Sequence, residues 1–426
     1  MLPAALVFGF GSTLAGWVIA YALRLPGDAV PPMVLGLLLI AVQLAGAALA
    51  GRTAAGIRPW VAGSATGVVS SALNLLVVLS AFSGDDPDAA RLDAAGALAA
   101  AGSIAVGAVV GAAAGLVGGR LAARDARDGA HVANWLSRFA ALNTAGAWLL
   151  LVAGGIVTSA RAGLAVPDWP ESFGANMFLF PLSKMTGGVF IEHAHRLLAV
   201  LVALNTAALL VWSLIAKAPA LARAVVAAAS ALVIAQAVLG GLRVTQTSDA
   251  LGMVHGVIGQ VYVAALALAA AVLSSAWRSG PAPRPHPAAR AQRTLNALAL
   301  AALLVQIAFG AAVRHFDAQP HALWSHVGFS VVALILLLAA GVRAQHTVAS
   351  AHRWLRISAT ATKHAAIVQM ALGVIALVAV IVWRDEDTPP AVSVALRSPH
   401  QAVGAALLIA ATLLTAWTRR LTTPPT

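Results

Sequence analysis

Cysteine is absent from the 426 residues, and with it go disulfides, thiolate haem ligands, iron–sulfur clusters and cysteine nucleophiles. Charge is scarce as well. Asp, Glu, Lys and Arg make up 10% of the chain, against roughly a quarter in soluble domains. Acidic residues are scarcest, 15 against 27 basic ones, so the formal net charge is +12. That excess does not read as a nucleic-acid surface. The basic residues stand singly between apolar runs of about 20 residues, the length that crosses a bilayer. What is abundant is apolar: 60% of residues are hydrophobic and the mean hydropathy is +0.87. The chain therefore reads as an all-α polytopic membrane protein whose first partner is the lipid bilayer, with no nucleic acid. Its first apolar run begins at once, without a basic leader, so a cleaved signal peptide is not expected.

Runs bounded by charges, Pro and Gly predict 12 spans, near 4–23, 32–50, 60–82, 95–119, 137–158, 190–214, 222–242, 250–277, 295–313, 322–341, 364–383 and 396–417. Most Lys and Arg, among them Arg52, Arg58, Arg120, Lys217, Arg278, Arg343, Arg419 and Arg420, then share the side of the N-terminus. The basic bias places both termini in the cytoplasm and turns the acidic stretch "SGDDPDAARLD" outward. Two polar linkers divide the chain. An N-terminal four-helix block (1–119) precedes a cytoplasmic linker (120–136), a first four-helix bundle (137–277), a second linker (278–294) and a second four-helix bundle (295–418). The N-terminal block has no His, and its many Gly, Ala and Ser suit close helix packing in lipid. Nothing in it suggests chemistry.

The two later bundles resemble each other. "QAVLGG" from Gln236 aligns with "QMALGV" from Gln369, "HGVIGQ" from His255 with "HQAVGA" from His400, and "HRLLAVLVAL" from His195 with "HVGFSVVALI" from His326. An even number of spans in each set gives the halves one orientation, so they are expected to be related by a pseudo-twofold along the membrane normal. All four histidines fall one or two turns inside the outer ends of their spans. Each half thus offers a pair of imidazoles at equal depth, suited to opposite faces of a porphyrin in an apolar bundle interior. A bare zinc ion is a poorer match, because a closed site wants about four ligands. A membrane histidine taken singly is as well explained by a hydrogen bond to a neighbouring helix. His193 lies about 200° round the helix from His195, so it does not share that haem face and reads as hydrogen-bonding or loop-facing. His315 and His321, and on the inner side His131, His286, His346, His352 and His364, read as solvated.

Glu192, three residues before His195 and so on its helical face, has Leu323 at the aligned position of the second half. It reads either as an acid, base or charge stabiliser in one half only, or as the structural partner of Arg196 or Arg161. Arg161, Arg196, Arg243 and Arg314 fall on the outer side, where Arg meets carboxylates bidentately. Asp168, Trp169 and Pro170 form either a lid or, through the Trp, an interfacial anchor. Gln236 and Gln369 are expected to bond across helices.

The stretch "GGIVTSARAGLAVPDWPESFGANMFLFPLSKMTGGVFIEHAHRL", Gly154 to Leu197, resembles the haem A synthase family of cytochrome oxidase assembly proteins. The likeness rests on the Gly-Gly ending a span, the Ala-Gly-x-x-Val-Pro-Asp-Trp-Pro loop and the Glu-x-x-His-Arg opening the next span, and it runs from about Asn134 to Thr418. It implies oxidation of a methyl of haem O to the formyl group of haem A with dioxygen and an external electron donor. It implies further that His195 and His255 bind the substrate haem O, that His326 and His400 bind a haem b cofactor, and that Glu192 is the catalytic carboxylate. The implied setting is a bacterial-type inner membrane with the haem sites near the outer face. The implied partners are a membrane electron donor and the enzyme that makes haem O, and an oligomer is compatible with all of this. Departures from the family pattern are the extra N-terminal block and the missing outer-loop cysteine pair. A dihaem b-type cytochrome taking electrons from quinol, and a transporter built on parallel repeats, are the competing functions.

Overall fold

The computed structural model describes all residues except 1, 26–29, 55–57, 83–91, 126–133, 349–351, 384–385, 387 and 426. Most of the expected acidic turn lies outside the described residues, as do Arg91, Arg127, His131 and Arg384. Apolar composition and length dictate helices, since a backbone in lipid must satisfy its own hydrogen bonds. Among the described residues 12 helices are long and apolar enough to cross a membrane. Large apolar side chains stay exposed along them, Val374, Val378 and Ile381 for example, as a lipid-facing surface requires. By contacts the chain forms two compact units, residues 1–142 with 164–205, and residues 143–163 with 206–426.

In the first unit, α1 (Leu2–Arg24), α2 (Pro32–Arg52), α3 (Pro59–Val78) and α4 (Ala94–Asp125) pack on one another. Glycine sets the distance between α3 and α4. A Cβ on Gly111 would lie 2.5 Å from the Gly63 carbonyl oxygen, and one on Gly115 2.5 Å from that of Pro59. The helices therefore touch backbone to backbone, the close approach that small residues allow in lipid. Thr66 and Ser70, buried where α3 meets α1, return their hydroxyls to carbonyls of their own helix. The unit also holds the loop from Leu164 and the opening of α6 (Gly187–Ile215).

The second unit holds the later part of α5 (Trp135–Ser159), the end of α6, then α7 (Ala220–Thr245), α8 (Asp249–Leu273), the short α9 (Ser275–Arg278), α10 (Ala289–His315), α11 (Pro320–His346), α12 (Arg353–Val382) and α13 (Ala391–Leu421). Its core is Leu303, Ile307, Leu337, Leu355, Leu407, Leu408, Leu414 and Trp417 from α10 to α13, with Ala264 of α8. Polar ties supplement it. Gln292 donates to Asn296 Oδ1 at 2.8 Å and to the Ala340 carbonyl at 3.0 Å, and Asn296 donates to Thr418 at 3.1 Å. Two residues of the inner linker, β1 (Arg284–Pro285), run parallel to β2 (Thr422–Thr423).

Three details depart from the sequence reading. Ser274 turns extended and caps α9 by accepting from the Trp277 amide at 3.1 Å, so the run expected to end at 277 is broken there. The helix expected from 364 begins at Arg353, because its basic residues lie along the helix and Lys363 satisfies itself on Gln345 Oε1 at 3.0 Å. His352, read as solvated, stacks on Trp417 at 5.4 Å and accepts from the Trp354 amide.

Candidate functional site

In the first unit Glu192, His193, His195 and Arg196 occupy the opening turns of α6. Glu192 is 3% exposed. Its Oε1 meets Arg196 Nη2 at 2.7 Å across one helical turn, and its Oε2 accepts from the Val166 amide at 2.9 Å. A buried carboxylate needs such partners for both oxygens. Arg196 reaches further, donating to the carbonyls of Asp168 at 2.7 Å, Val166 at 2.8 Å and Glu171 at 3.2 Å. Glu192 and Arg196 together thus strap the outer loop to the helix. Arg196, spent on these acceptors, leaves the set of arginines expected to meet a ligand carboxylate.

His193, 1% exposed, faces the loop, with Nδ1 3.1 Å from Ser172 Oγ and its ring 5.1 Å from Phe180. His195, half buried, projects about 200° away from it round the helix. The loop also ties itself. Asp168 accepts from the amides of Phe173 at 2.8 Å and Gly174 at 2.7 Å, a turn that needs the positive φ of 75° at Gly174. Burial works to raise the Asp168 pKa, but these two amides, with the Arg196 guanidinium, outweigh it and hold the carboxyl below its usual range. Trp169 is 42% exposed.

In the second unit His326 and His400 come together, ring centroids 6.1 Å apart and planes at 89°. The rings are set by their neighbours. A Cβ on Gly310 would lie 2.9 Å from His326 Cε1, one on Gly373 3.1 Å from His400 Cε1, and one on Gly240 3.2 Å from His255 Cε1. At Gly310 a side chain would force the ring to shift, and at Gly373 and Gly240 the imidazole would have to give by a few tenths of an ångström. In each case a glutamine stands one turn earlier: Gln306, Gln369 and Gln236. His326 Nδ1 lies 3.2 Å from the Gln306 carbonyl. Nδ1 of His255 and of His400 are buried without a hydrogen-bond partner among the described residues. An Nδ1 directed at a carbonyl settles the tautomer and frees Nε2 as a ligand atom, the arrangement metal-binding histidines use. Gln369 Nε2 lies 3.4 Å from His400 Nε2. Among the described residues no three of His, Cys, Asp and Glu converge to chelate a bare ion.

Arginines gather near these histidines. Arg314, one turn beyond Gly310, bonds Gln401, the Gly155 carbonyl at 3.1 Å and Ser159 Oγ at 2.5 Å. It neighbours Arg397, which neighbours Arg161, while Arg243 donates to the Gly163 carbonyl at 2.7 Å. Like charges so placed favour an anionic ligand. His315 corrects the sequence reading. It is the last residue of α10 and packs in a groove of α8, 2.7 Å from where a Cβ on Gly252 would be. It is not a solvated loop residue. Gln306 and Gln401 had also escaped notice. "QIAFG" from Gln306 repeats the spacing of Gln236 to Gly240 and was the available signal for the first, whereas the Gln401 contact is long-range and left none.

A family model described as cytochrome oxidase assembly protein matches residues 137–328. The match takes in Glu192, His195, His255 and His326, and leaves α1–α4 and His400 outside. No curated protein matches the chain.

Proposed function

We propose, on the premise that residues 137–328 belong to the family of cytochrome oxidase assembly proteins, that the chain is a haem A synthase-like membrane oxidoreductase acting on haem O. The observation that carries the reading is the pair His326 and His400. Their ring centroids stand 6.1 Å apart, close enough that both imidazoles would hold one haem. A haem b bound there supplies one-electron transfer between an external donor and the reacting half, while dioxygen supplies the oxygen atoms. The chain's own residues hold and orient. His326 and His400 clamp the retained haem, with Gln306 and Gln369 setting their rings, and His195 and His255 hold haem O. Glu192, fixed by Arg196 and Val166, places negative charge where the methyl-derived carbon becomes electron-poor. Arg161, Arg243 and Arg397 meet the porphyrin carboxylates.

In this reading the termini are cytoplasmic, the haem sites lie toward the outer face of a bacterial-type inner membrane, and the two histidine-bearing bundles are duplicates. Pigment analysis tests it. Membranes of cells supplied with haem O and expressing the chain are extracted and chromatographed, and haem A or its hydroxylated precursor is expected. Haem b alone, unaffected by Glu192→Ala, would instead indicate a dihaem cytochrome passing electrons from quinol.

A further inference from the structure

The N-terminal helices lack any group fit for redox chemistry, yet they are not set apart from the loop and helix that carry Glu192. Residues 1–142 cluster with 164–205 in one compact unit. The contact is made by one stripe of α1. Trp17, Tyr21 and Arg24, spaced by four and three residues, share a helical face. Trp17 Nε1 donates to Asn74 Oδ1 at 2.7 Å, which locks α1 to α3. Tyr21 lies 5.5 Å from the Phe190 ring. Arg24 sits 4.8 Å over that same ring and donates to the Met185 carbonyl at 3.1 Å. Trp17, Tyr21 and Val77 thereby close an apolar cluster of Phe180, Met185, Phe190 and Leu197.

From that cluster the contacts run to His193, the neighbour of Glu192, and to the loop that Glu192 and Arg196 hold. Phe180 touches His193 at 5.1 Å and Phe173 at 5.5 Å, and Phe173 is tied by its amide to Asp168. Phe190 stands two residues before Glu192. The loop is held from both ends, by Arg196 over Val166 to Glu171 and by Arg24 at Met185.

We propose that the N-terminal block is a brace for the outer loop and the first turn of α6, with Arg24 the positioning residue that keeps Glu192 in place for reaction. The part that concerns reaction rests on the haem A synthase reading; the brace itself does not. Passive packing is the rival, in which the block only buries surface. The test compares the full-length protein with Arg24→Gln and Arg24→Lys by hydrogen exchange over residues 164–190 and by haem O conversion. Arg24→Gln is expected to speed exchange there and to slow conversion, each roughly tenfold, as losing one charge-assisted hydrogen bond implies. Arg24→Lys, still able to meet the Met185 carbonyl and the Phe190 face, is expected to restore both to within about threefold. Absorbance of the haem held by His326 and His400 stays unchanged in both variants. Exchange in Arg24→Gln equal to that of the parent overturns the brace, and faster exchange with undiminished conversion overturns the positioning role. If the parent does not convert haem O, the functional reading falls, and the exchange difference between Arg24→Gln and Arg24→Lys still decides the brace.

Discussion

His326 and His400 lie in a region closed by the short turn 316–319, whereas Glu192 and His195 lie under the long connection 160–186. The surroundings differ in kind. Three residues before His326 stands Leu323, where His195 has Glu192. Seven residues after His400 stands Leu407, buried in the apolar core, while seven after His255 stands Tyr262, whose hydroxyl shares a 2.5 Å hydrogen bond with Thr206, itself bonded to Asn143 at 3.2 Å. Around α10–α13 the polar atoms serve to orient rings. The proposed function therefore assigns the groups that act on a porphyrin to α6 and α8, which carry Glu192 and Tyr262, and those that only hold one to α11 and α13, which carry Leu323 and Leu407 at the aligned positions.

The comparison is broken most severely through the histidines. His195→Ala or His255→Ala is expected to lower haem O conversion at least about 100-fold, with the Soret absorbance of the retained haem b unchanged. Equal loss of both pigments would erase the distinction between the regions. Glu192→Gln, nearly the same shape, is expected to lower conversion by about 10- to 100-fold at constant haem b content. Glu192→Leu additionally removes the counter-charge of the half-buried Arg196 and the acceptor of the Val166 amide, and thermal unfolding of the solubilised protein should register a loss of about 2 kcal/mol.

A gentler change sharpens the contrast from the other side. Gly373→Ala brings a methyl to 3.1 Å from His400 Cε1, so it is expected to move the midpoint potential of haem b while conversion stays within about threefold. The smallest effect concerns acid. The Asp168 carboxyl is held below its usual range in the folded protein, so the stability it lends the loop is fully present above about pH 4 and is lost as pH falls through the lower folded value. Protection of the Phe173 and Gly174 amides, taken relative to intrinsic exchange at each pH, should fall only in that acid range, and Asp168→Asn should lower it at neutral pH.

The helices were legible because apolar length decides them in lipid. The pairing of His326 with His400 was legible because each lies near the same end of its span, and helical angle alone separated His193 from His195. What stayed hidden depends on contacts far apart in sequence. No periodicity in α1 announces that Arg24 reaches Met185 or that Tyr21 meets Phe190. Arg196 could be offered to a ligand or to the loop, and only the folded positions of Val166, Asp168 and Glu171 decide for the loop. The groove of Gly252 and Gly256 receives His315 from another helix, so the residue looked solvated.

Electron paramagnetic resonance of the purified full-length protein, alone and as His326→Ala and His400→Ala, tests the central claim most directly. The account predicts a low-spin ferric haem with two imidazole ligands, its signal strongly anisotropic because the ring planes stand at 89°, and loss of that signal in each single variant. The same low-spin signal persisting in either variant would contradict it.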